Sequence, residues 1–360
     1  MKKLLLILFI LILIFNVGCT KAEDKDNNLK STEDIDDNIQ EETNRYSIEN
    51  IMVGKGTEYE LKGKLTVPSN ATADNPCPVV VLVHGSGPQD MDEILYENMP
   101  FRDIAEYLSS HGIAVIRYDK RTFTHGLKMT QDLGGSLTVY EETIEDAILA
   151  TEILKADPRI NENKVFIIGH SLGGMLAPRI HVMGGNYAGI ISLAGSPRYL
   201  IDISKDQNMA AIEEMEDGDK KTNALYEMEN IWDDYYNAFL ILSDNEAQNT
   251  TIPGWGGASA YYFKDLYENP TSKYIKDITV PFLIMQGDKD FQVSIEKDFM
   301  LWQELLAGRN NATFKLYNGL NHFFMTSTWK TITEYQEEYK IAGHVNTQVL
   351  ADITEWIKAN

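Results

Sequence analysis

Cysteine is scarce in this chain, with only Cys19 and Cys77 among 360 residues. At most one intrachain disulfide can form, which excludes the class of small exported domains held together by several disulfides. The fold must instead be stabilised by a hydrophobic core, and a chain of this length can bury enough apolar surface to build one.

Positive charge is also scarce, because 32 lysines and arginines face 54 acidic residues and give a formal net charge of −22 at pH 7. Such a chain repels polyanions, so nucleic acid is not expected as a partner. Histidine, cysteine and acidic residues do not show the spacing of metal ligands in the sequence. We therefore expect neither a metal site nor a bound cofactor.

The first 19 residues have the composition of an export signal. Two lysines precede an apolar run over residues 4–15, which is too short for a stable membrane-spanning helix. The run leads to Gly18 and Cys19 and resembles a bacterial lipobox, although Asn16 stands where an aliphatic residue is usual. This resemblance implies that Cys19 receives lipid, and that the exported protein is anchored to the cell membrane and faces outward.

Two alternatives to lipidation stay open at this point. Ordinary cleavage would release a secreted protein with a free Cys19, and a Cys19–Cys77 disulfide would tie the N-terminal segment to the core. Residues 20–45 are polar and acidic and have no hydrophobic periodicity, so they cannot bury apolar surface. We expect them to be a disordered acidic tether that precedes a globular domain over residues 46–360.

The globular part alternates between apolar, β-branched runs and helical patterns. Strands are predicted at residues 79–83, 113–118, 164–168, 188–193, 280–285 and 313–317, and helices near 100–110, 138–156 and 347–358. This alternation is typical of the α/β class, in which helices flank a mostly parallel central sheet. Residues from about 197 to 277 break the alternation with a long, helix-favouring, aromatic-rich segment. We expect this insertion to be mostly helical.

The pentapeptide Gly-His-Ser-Leu-Gly at residues 169–173 follows a predicted strand and precedes a segment that can begin a helix. A serine at such a junction lies on a sharp, strained turn that lifts its hydroxyl clear of the sheet. Glycine is needed on both flanks because side chains there would clash. The sequence therefore predicts that Ser171 is a nucleophile.

A serine nucleophile needs a base and an acid that orients the base. Asp288 and Asp290 follow the predicted strand at 280–285, and His322 lies in a polar loop after the last predicted strand. The order of serine, acid and histidine along the chain is the order expected after a turn of this kind. His322 is therefore the predicted base, and the two acids are candidates for its partner.

A second turn, His-Gly-Ser-Gly at residues 84–87, directly follows the predicted strand at 79–83. Backbone N–H groups at such a turn, together with the N–H that follows the nucleophile, can bind the negative oxygen of a tetrahedral intermediate. We therefore predict an oxyanion hole formed by the N–H groups of Ser86 and Leu172.

These turns together resemble those of α/β-hydrolases in the serine-esterase and serine-aminopeptidase-like group. The similarity covers about residues 45–360 and includes the turn Tyr-Asp-Lys-Arg at 118–121. It implies the α/β-hydrolase fold with a cap insertion. It also implies that Asp290 rather than Asp288 orients His322, because the family's usual form is Gly-x-x-Asp followed shortly by a valine, here Val293.

The resemblance implies a serine hydrolase that cleaves carboxylic ester bonds of small acyl substrates through a Ser-His-Asp triad and an acyl-enzyme. An aminopeptidase or amidase on the same triad is an alternative, since the acidic residues of the cap suit a substrate amine. An acyltransferase or thioesterase is another. A non-catalytic binding protein at the cell surface is the least favoured. The expected partner is a small acyl ester or a peptide.

Overall fold

The structure is a computed structural model that describes residues 45–360, the side chain of Thr333 excepted. The predicted signal peptide, Cys19 and the tether up to residue 44 lie outside the described residues and stay predictions. No helix between residues 45 and 360 is long and apolar enough to cross a membrane.

The described residues contain a central sheet. Its strands are β1 Tyr46–Val53, β2 Leu61–Pro68, β3 Cys77–Val83, β4 Ala114–Tyr118, β5 Ile160–His170, β6 Gly189–Leu193, β7 Phe282–Gly287 and β8 Ala312–Tyr317. They are hydrogen-bonded in the order β1-β2-β4-β3-β5-β6-β7-β8. Strand β2 pairs antiparallel with β1 and β4, whereas the pairs from β4 through β8 are parallel. The predicted α/β class with a mostly parallel sheet is confirmed.

Helices lie on both faces of this sheet and between β6 and β7. They are α1 Pro100–Ser110, α2 Arg121–Asp132, α3 Glu145–Lys155, α4 Leu172–Ile180, α5 Leu200–Glu213, α6 Asp219–Ile241, α7 Asp244–Gln248, α8 Ala260–Glu268, α9 Thr271–Ile275, α10 Met300–Leu305, α11 Ile332–Glu338 and α12 Thr347–Ala359. Together with the sheet they form the architecture of an α/β-hydrolase, with the carboxyl ends of the parallel strands on one side.

Alternate side chains of β3 pack on opposite faces of the sheet. Val79, Val81 and Val83 join the core that includes residues of α3 and α4. Val80 and Leu82 join the core that includes residues of α1 and α12. All five side chains are buried, which explains why this strand is continuously apolar in the sequence.

Helices α5 to α8 have a small hydrophobic core of their own, which includes Trp232, Tyr235 and Phe239. The Trp232 indole N–H donates to the Ile201 carbonyl at 3.0 Å, and the Tyr235 hydroxyl donates to the Pro253 carbonyl at 2.6 Å. Buried tyrosine and tryptophan need such partners for their polar atoms. Packing within this helical segment therefore accounts for much of its aromatic content.

Candidate active site

Ser171 lies at the junction of β5 and α4, with backbone angles of φ 52° and ψ −116°. A positive φ is strained for a residue that carries a Cβ, so the surrounding packing must maintain it. A Cβ on Gly169 would lie 2.1 Å from the Gly173 carbonyl oxygen, and a Cβ on Gly173 would lie 2.2 Å from that of Val83. The expectation that both flanks of the turn require glycine is confirmed.

Asp290 and His322 form a buried pair beside this turn. Asp290 Oδ2 lies 2.8 Å from His322 Nδ1, and the aspartate and histidine side chains are 0% and 2% exposed. The other carboxylate oxygen, Oδ1, accepts the backbone N–H groups of Gln292 and Val293 at 2.8 and 3.0 Å. Both oxygens therefore have donors, which fixes the carboxylate in its orientation toward the imidazole.

Asp288, the other acid of this turn, has different contacts. Its Oδ1 accepts the Gly319 N–H at 2.6 Å, and its own N–H donates to the Tyr317 carbonyl at 2.9 Å. Asp288 therefore joins the turn after β7 to the turn after β8. Of the two candidate acids, Asp290 is the one whose carboxylate contacts His322.

The turn after β3 is held on both sides of Gly85. The Gly85 N–H donates to Glu93 Oε1 at 2.9 Å, and the Gly85 carbonyl accepts from Lys120 Nζ at 2.8 Å. A Cβ on Gly85 would lie 3.2 Å from the Ser171 Cβ. This turn therefore lies directly against the turn that carries Ser171.

A cavity of about 780 Å³ is lined by both turns and by the helical segment from α5 to α8. Ser86, Ser171 and Leu172 are part of its wall. The rest of the lining carries aromatic rings, neutral amides and hydroxyls, among them Trp232, Tyr235, Gln207, Asn208, Ser204 and Ser259. A cavity of this size with these groups suits a small molecule that combines an apolar part with uncharged polar groups.

Glu142 is the one acidic or basic residue among the described residues that line this cavity. Its Oε1 lies 2.9 Å from Lys120 Nζ, and its Oε2 accepts the Tyr262 hydroxyl at 2.6 Å. Both carboxylate oxygens already have partners within the protein. The described residues that line the cavity therefore present no unpaired charged group to a ligand.

Residues 80–333 match the sequence profile of the alpha/beta hydrolase family. This span covers more than half of the chain and contains Ser171, Asp290 and His322. The chain belongs to the alpha/beta hydrolase family.

One relative is similar to this chain over most of its sequence. This alpha/beta hydrolase is 37% identical over 297 residues to Esterase EstD of Thermotoga maritima, a match that covers 82% of this chain and 65% of that protein. The chain thus spans about two thirds of the length of this relative.

Two solved structures show the same fold at low sequence identity. An esterase of Pyrococcus furiosus aligns with a TM-score of 0.51 and 15% identity, over 89% of this chain and 93% of its own. An acylaminoacyl peptidase of Pyrococcus horikoshii aligns with a TM-score of 0.51 and 14% identity, over 86% of this chain and 43% of its own. These likenesses extend to the fold alone.

His170 of this alpha/beta hydrolase is buried between two parts of the site. Its Nδ1 lies 3.0 Å from Glu93 Oε1, and its Nε2 lies 3.1 Å from the His322 carbonyl oxygen. Burial lowers the pKa of His170, but the Glu93 carboxylate outweighs burial and raises it. Burial raises the pKa of Glu93, but the attraction of His170 outweighs this and lowers it. The pair therefore favours an ionic contact that supports the His322 loop.

Sequence reasoning did not single out Glu93 or Glu142, and it noticed Lys120 only within the turn at 118–121. Glu93 and Lys120 lie 8 and 35 positions after Gly85, the residue they hold. Glu142 lies in a helical turn at 140–144, before α3. Their partners are distant in the sequence and follow no fixed spacing, so no local pattern could have indicated these roles.

Proposed function

We propose that this protein is a carboxylic ester hydrolase of the serine-esterase and serine-aminopeptidase-like group, which acts on small acyl substrates through a Ser-His-Asp triad. The observation that carries the proposal is the strained Ser171 turn at the wall of a large cavity, with the buried Asp290–His322 pair close by. The similarity to a protein named Esterase EstD supports the choice of esters.

In the proposed reaction, Ser171 Oγ attacks the ester carbonyl carbon while His322 Nε2 takes the hydroxyl proton. Asp290 holds the histidine tautomer that carries its proton on Nδ1, and it stabilises the imidazolium that forms. The tetrahedral intermediate collapses, and the leaving alkoxide takes the proton from His322. Water then attacks the acyl-enzyme, with His322 again as the base, and the acid product leaves Ser171 free.

The N–H groups of Ser86 and Leu172 are proposed to bind the oxyanion. Leu172 is the first residue of α4, and the first N–H groups of a helix have no partner within the helix. No acceptor for the Ser86 N–H is found among residues 45–360. Two free N–H groups at the wall beside Ser171 support this assignment.

The cavity favours an ester over a substrate that carries a free amine. A substrate ammonium group that is bound away from water needs a carboxylate as its counter-ion. The carboxylate that lines this cavity, Glu142, already accepts from Lys120 and Tyr262. A substrate ammonium group would therefore lack a counter-ion there, whereas an uncharged ester would need none.

The test is hydrolysis of a series of p-nitrophenyl esters of increasing acyl length by the purified protein and by Ser171→Ala. We expect turnover by the unchanged protein and a loss of more than about 10³-fold in Ser171→Ala, because triad residues act as one unit. A fluorophosphonate probe should label Ser171. The acyl-length profile should reflect the cavity volume.

Other outcomes would select among the alternatives. Absence of both turnover and labelling would contradict the proposal and favour a binding protein. Labelling without ester hydrolysis would indicate an amidase, a peptidase or a specialised acyl substrate. Faster product formation when a second alcohol or amine is added would indicate acyl transfer.

We also propose that residues 1–19 are a signal peptide and that Cys19 is lipidated. In this proposal, residues 20–45 tether the domain to the outer side of the cell membrane, and residues from about 197 to 277 form the cap of the domain. The sequence of residues 1–45 supports this proposal. Mass spectrometry of the N-terminal peptide should find a diacylglyceryl group on Cys19. Cys19→Ser should move the protein from the membrane fraction to the soluble fraction; an unmodified Cys19 would indicate a secreted protein.

A further inference from the structure

Lys120 is a buried cation for which the proposed reaction has no role. It follows β4, and its side chain is 2% exposed. Its ammonium group contacts the Gly85 carbonyl oxygen at 2.8 Å and Glu142 Oε1 at 2.9 Å. Burial of an ammonium ion is unfavourable unless its partners compensate. The contact between the buried Lys120 ammonium group and the Gly85 carbonyl therefore needs a functional explanation.

The Gly85 carbonyl and the Ser86 N–H belong to one planar peptide unit, and this peptide bond is trans. In a trans unit the C=O and N–H bonds point in opposite directions. A cation that fixes the oxygen therefore fixes the direction of the N–H as well. Ser86 lines the cavity beside Ser171, whereas Lys120 is buried on the carbonyl side of the unit.

The charge of Lys120 has a second consequence for this peptide unit. Hydrogen bonds in a chain polarise one another, particularly where the surroundings exclude water. An ammonium group on the Gly85 oxygen draws electron density toward that oxygen and makes the Ser86 N–H a stronger donor. Lys120 thus acts on both the direction and the strength of this donor without touching the substrate.

Glu142 supports this peptide unit through Lys120, and Glu93 supports the preceding unit, to which the Gly85 N–H belongs. Glu142 Oε1 holds the Lys120 ammonium group, and Glu142 Oε2 accepts the hydroxyl of Tyr262 from α8. Glu93 accepts the Gly85 N–H at 2.9 Å. Gly85 is therefore fixed from both sides, and one of the supports is bonded to the helical segment that covers the cavity.

We propose that Lys120 is a positioning residue that orients and polarises the Ser86 N–H through the Gly85 carbonyl, and that Glu142 holds Lys120 in place for this role. The inference rests on the proposed ester hydrolase function and extends it, because it assigns the control of the oxyanion hole to a buried ion pair.

Three variants separate positioning from mere structural support. Lys120→Met/Glu142→Gln removes both charges together, so neither is left buried and unpaired. Glu142→Gln keeps the cation on Gly85 but leaves it without its counter-ion. Lys128→Met is the matched control, because this lysine lies on α2 and is 37% exposed, with Glu58 and Asp132 as its partners.

We expect kcat of the double variant to fall by roughly 10- to 100-fold, with KM changed less than about twofold. This loss of kcat is smaller than the loss expected when an oxyanion donor is removed completely. Glu142→Gln should lose less activity than the double variant although it is the less stable protein, because an unpaired buried charge is destabilising. A purely structural role predicts the reverse order, with Glu142→Gln the less active. Lys128→Met should match the unchanged protein.

Binding of a trifluoromethyl ketone gives a second readout, since it forms a tetrahedral anion on Ser171, whereas the corresponding unreactive amide does not. In the double variant, affinity for the ketone should fall in parallel with kcat/KM while amide affinity is retained. Unchanged ketone affinity, or equal losses for both ligands, would overturn the inference. If the double variant does not fold, Lys120→Met is compared with Glu142→Gln, with the same expected order.

The unchanged protein distinguishes this inference from the proposed function. If it neither hydrolyses esters nor reacts with a fluorophosphonate at Ser171, the ester hydrolase proposal itself fails. If it does both, and the double variant has the same kcat and ketone affinity, only the role of Lys120 is contradicted.

Discussion

Asp288 and Asp290 lie two residues apart in the turn after β7, yet they contact different parts of the molecule. Asp290 bonds to His322 and to two backbone N–H groups, whereas Asp288 bonds to Gly319 in the next turn. Side-chain chemistry is the same at both positions. The difference arises from the direction in which the turn presents each carboxylate.

The two acids give a matched pair of variants. Asp290→Asn should lower kcat for p-nitrophenyl esters by roughly 10³- to 10⁴-fold, because an amide does not stabilise the imidazolium and favours the wrong histidine tautomer. Asp288→Asn keeps an oxygen for the Gly319 N–H and should retain kcat within about twofold. A large loss in Asp288→Asn, with Asp290→Asn active, would reverse the assignment of the acid.

At the scale of elements, the junction of β5 and α4 depends on backbone packing. Gly173 lies in the first turn of α4, so close to β3 that a Cβ would lie 2.2 Å from the Val83 carbonyl oxygen and 2.8 Å from that of His84. The helix cannot keep this contact with any larger residue. The glycine therefore sets the distance between the helix and the strand.

Gly173→Ala should lower the free energy of unfolding by about 3 kcal/mol, because the helix and the strand must move apart. Gly126→Ala is the control, since Gly126 lies in α2 with nothing within 4 Å of the added Cβ. It should raise the free energy of unfolding by about 0.5–1 kcal/mol. Urea unfolding measures both, and equal effects would show that packing at the junction is not the cause.

The sequence predicted strands better than helices. Each predicted strand from 79–83 onward overlaps a strand of the sheet. Strands β3, β6 and β7 leave a clear apolar run because they are buried on both faces, whereas the edge strand β8 is partly exposed. Helix α2 was not predicted. Its threonines, His125 and Gly126 have low helix propensity, and His125 departs from helical angles. Its buried residues are Arg121, which pairs with Asp146, and Met129, so long-range contacts rather than propensity support this helix.

At the scale of the whole molecule, stability depends on pH through buried carboxyl groups. Asp119 is 8% exposed, and its Oδ1 accepts the Met91 N–H at 2.9 Å. Burial, together with the nearby Asp90, outweighs this hydrogen bond and raises the pKa of Asp119 to about 6, from a model-peptide value of 3.8. The folded state thus binds the proton more tightly than the unfolded state.

The contribution of Asp119 to stability is therefore greatest below pH 4 and is lost as the pH rises through about 6. In Asp119→Asn the side chain does not titrate, so its contribution to stability is not lost as the pH rises. Its side-chain oxygen can still accept the Met91 N–H. We expect the free energy of unfolding of the variant, relative to the unchanged protein, to increase by roughly 2 kcal/mol between pH 4 and pH 8. Asp74→Asn, at an exposed turn, is the matched control for the removal of one carboxylate. Urea unfolding across this pH range provides the measurement, and parallel curves for Asp119→Asn would refute the expectation.

The sequence by itself determined the class of the fold and the candidates for the site. Apolar runs, glycine pairs and polar loops are local signals, and they were sufficient to indicate Ser171, His322 and two possible acids. Esters as the substrate class remain a proposal, since the similarity to Esterase EstD and the lining of the cavity support it without testing it.

The family resemblance already favoured Asp290 over Asp288, and the structure places the Asp290 carboxylate against His322. Only the tertiary structure decided that Glu93, Lys120 and Glu142 converge on the turn beside Ser171. These contacts join residues between 8 and 35 positions apart around Gly85 and Lys120, and no periodic pattern encodes them. Hydrophobic periodicity determines which face of an element is buried, whereas the pairing of buried charges depends on how loops from separate strands come together in space.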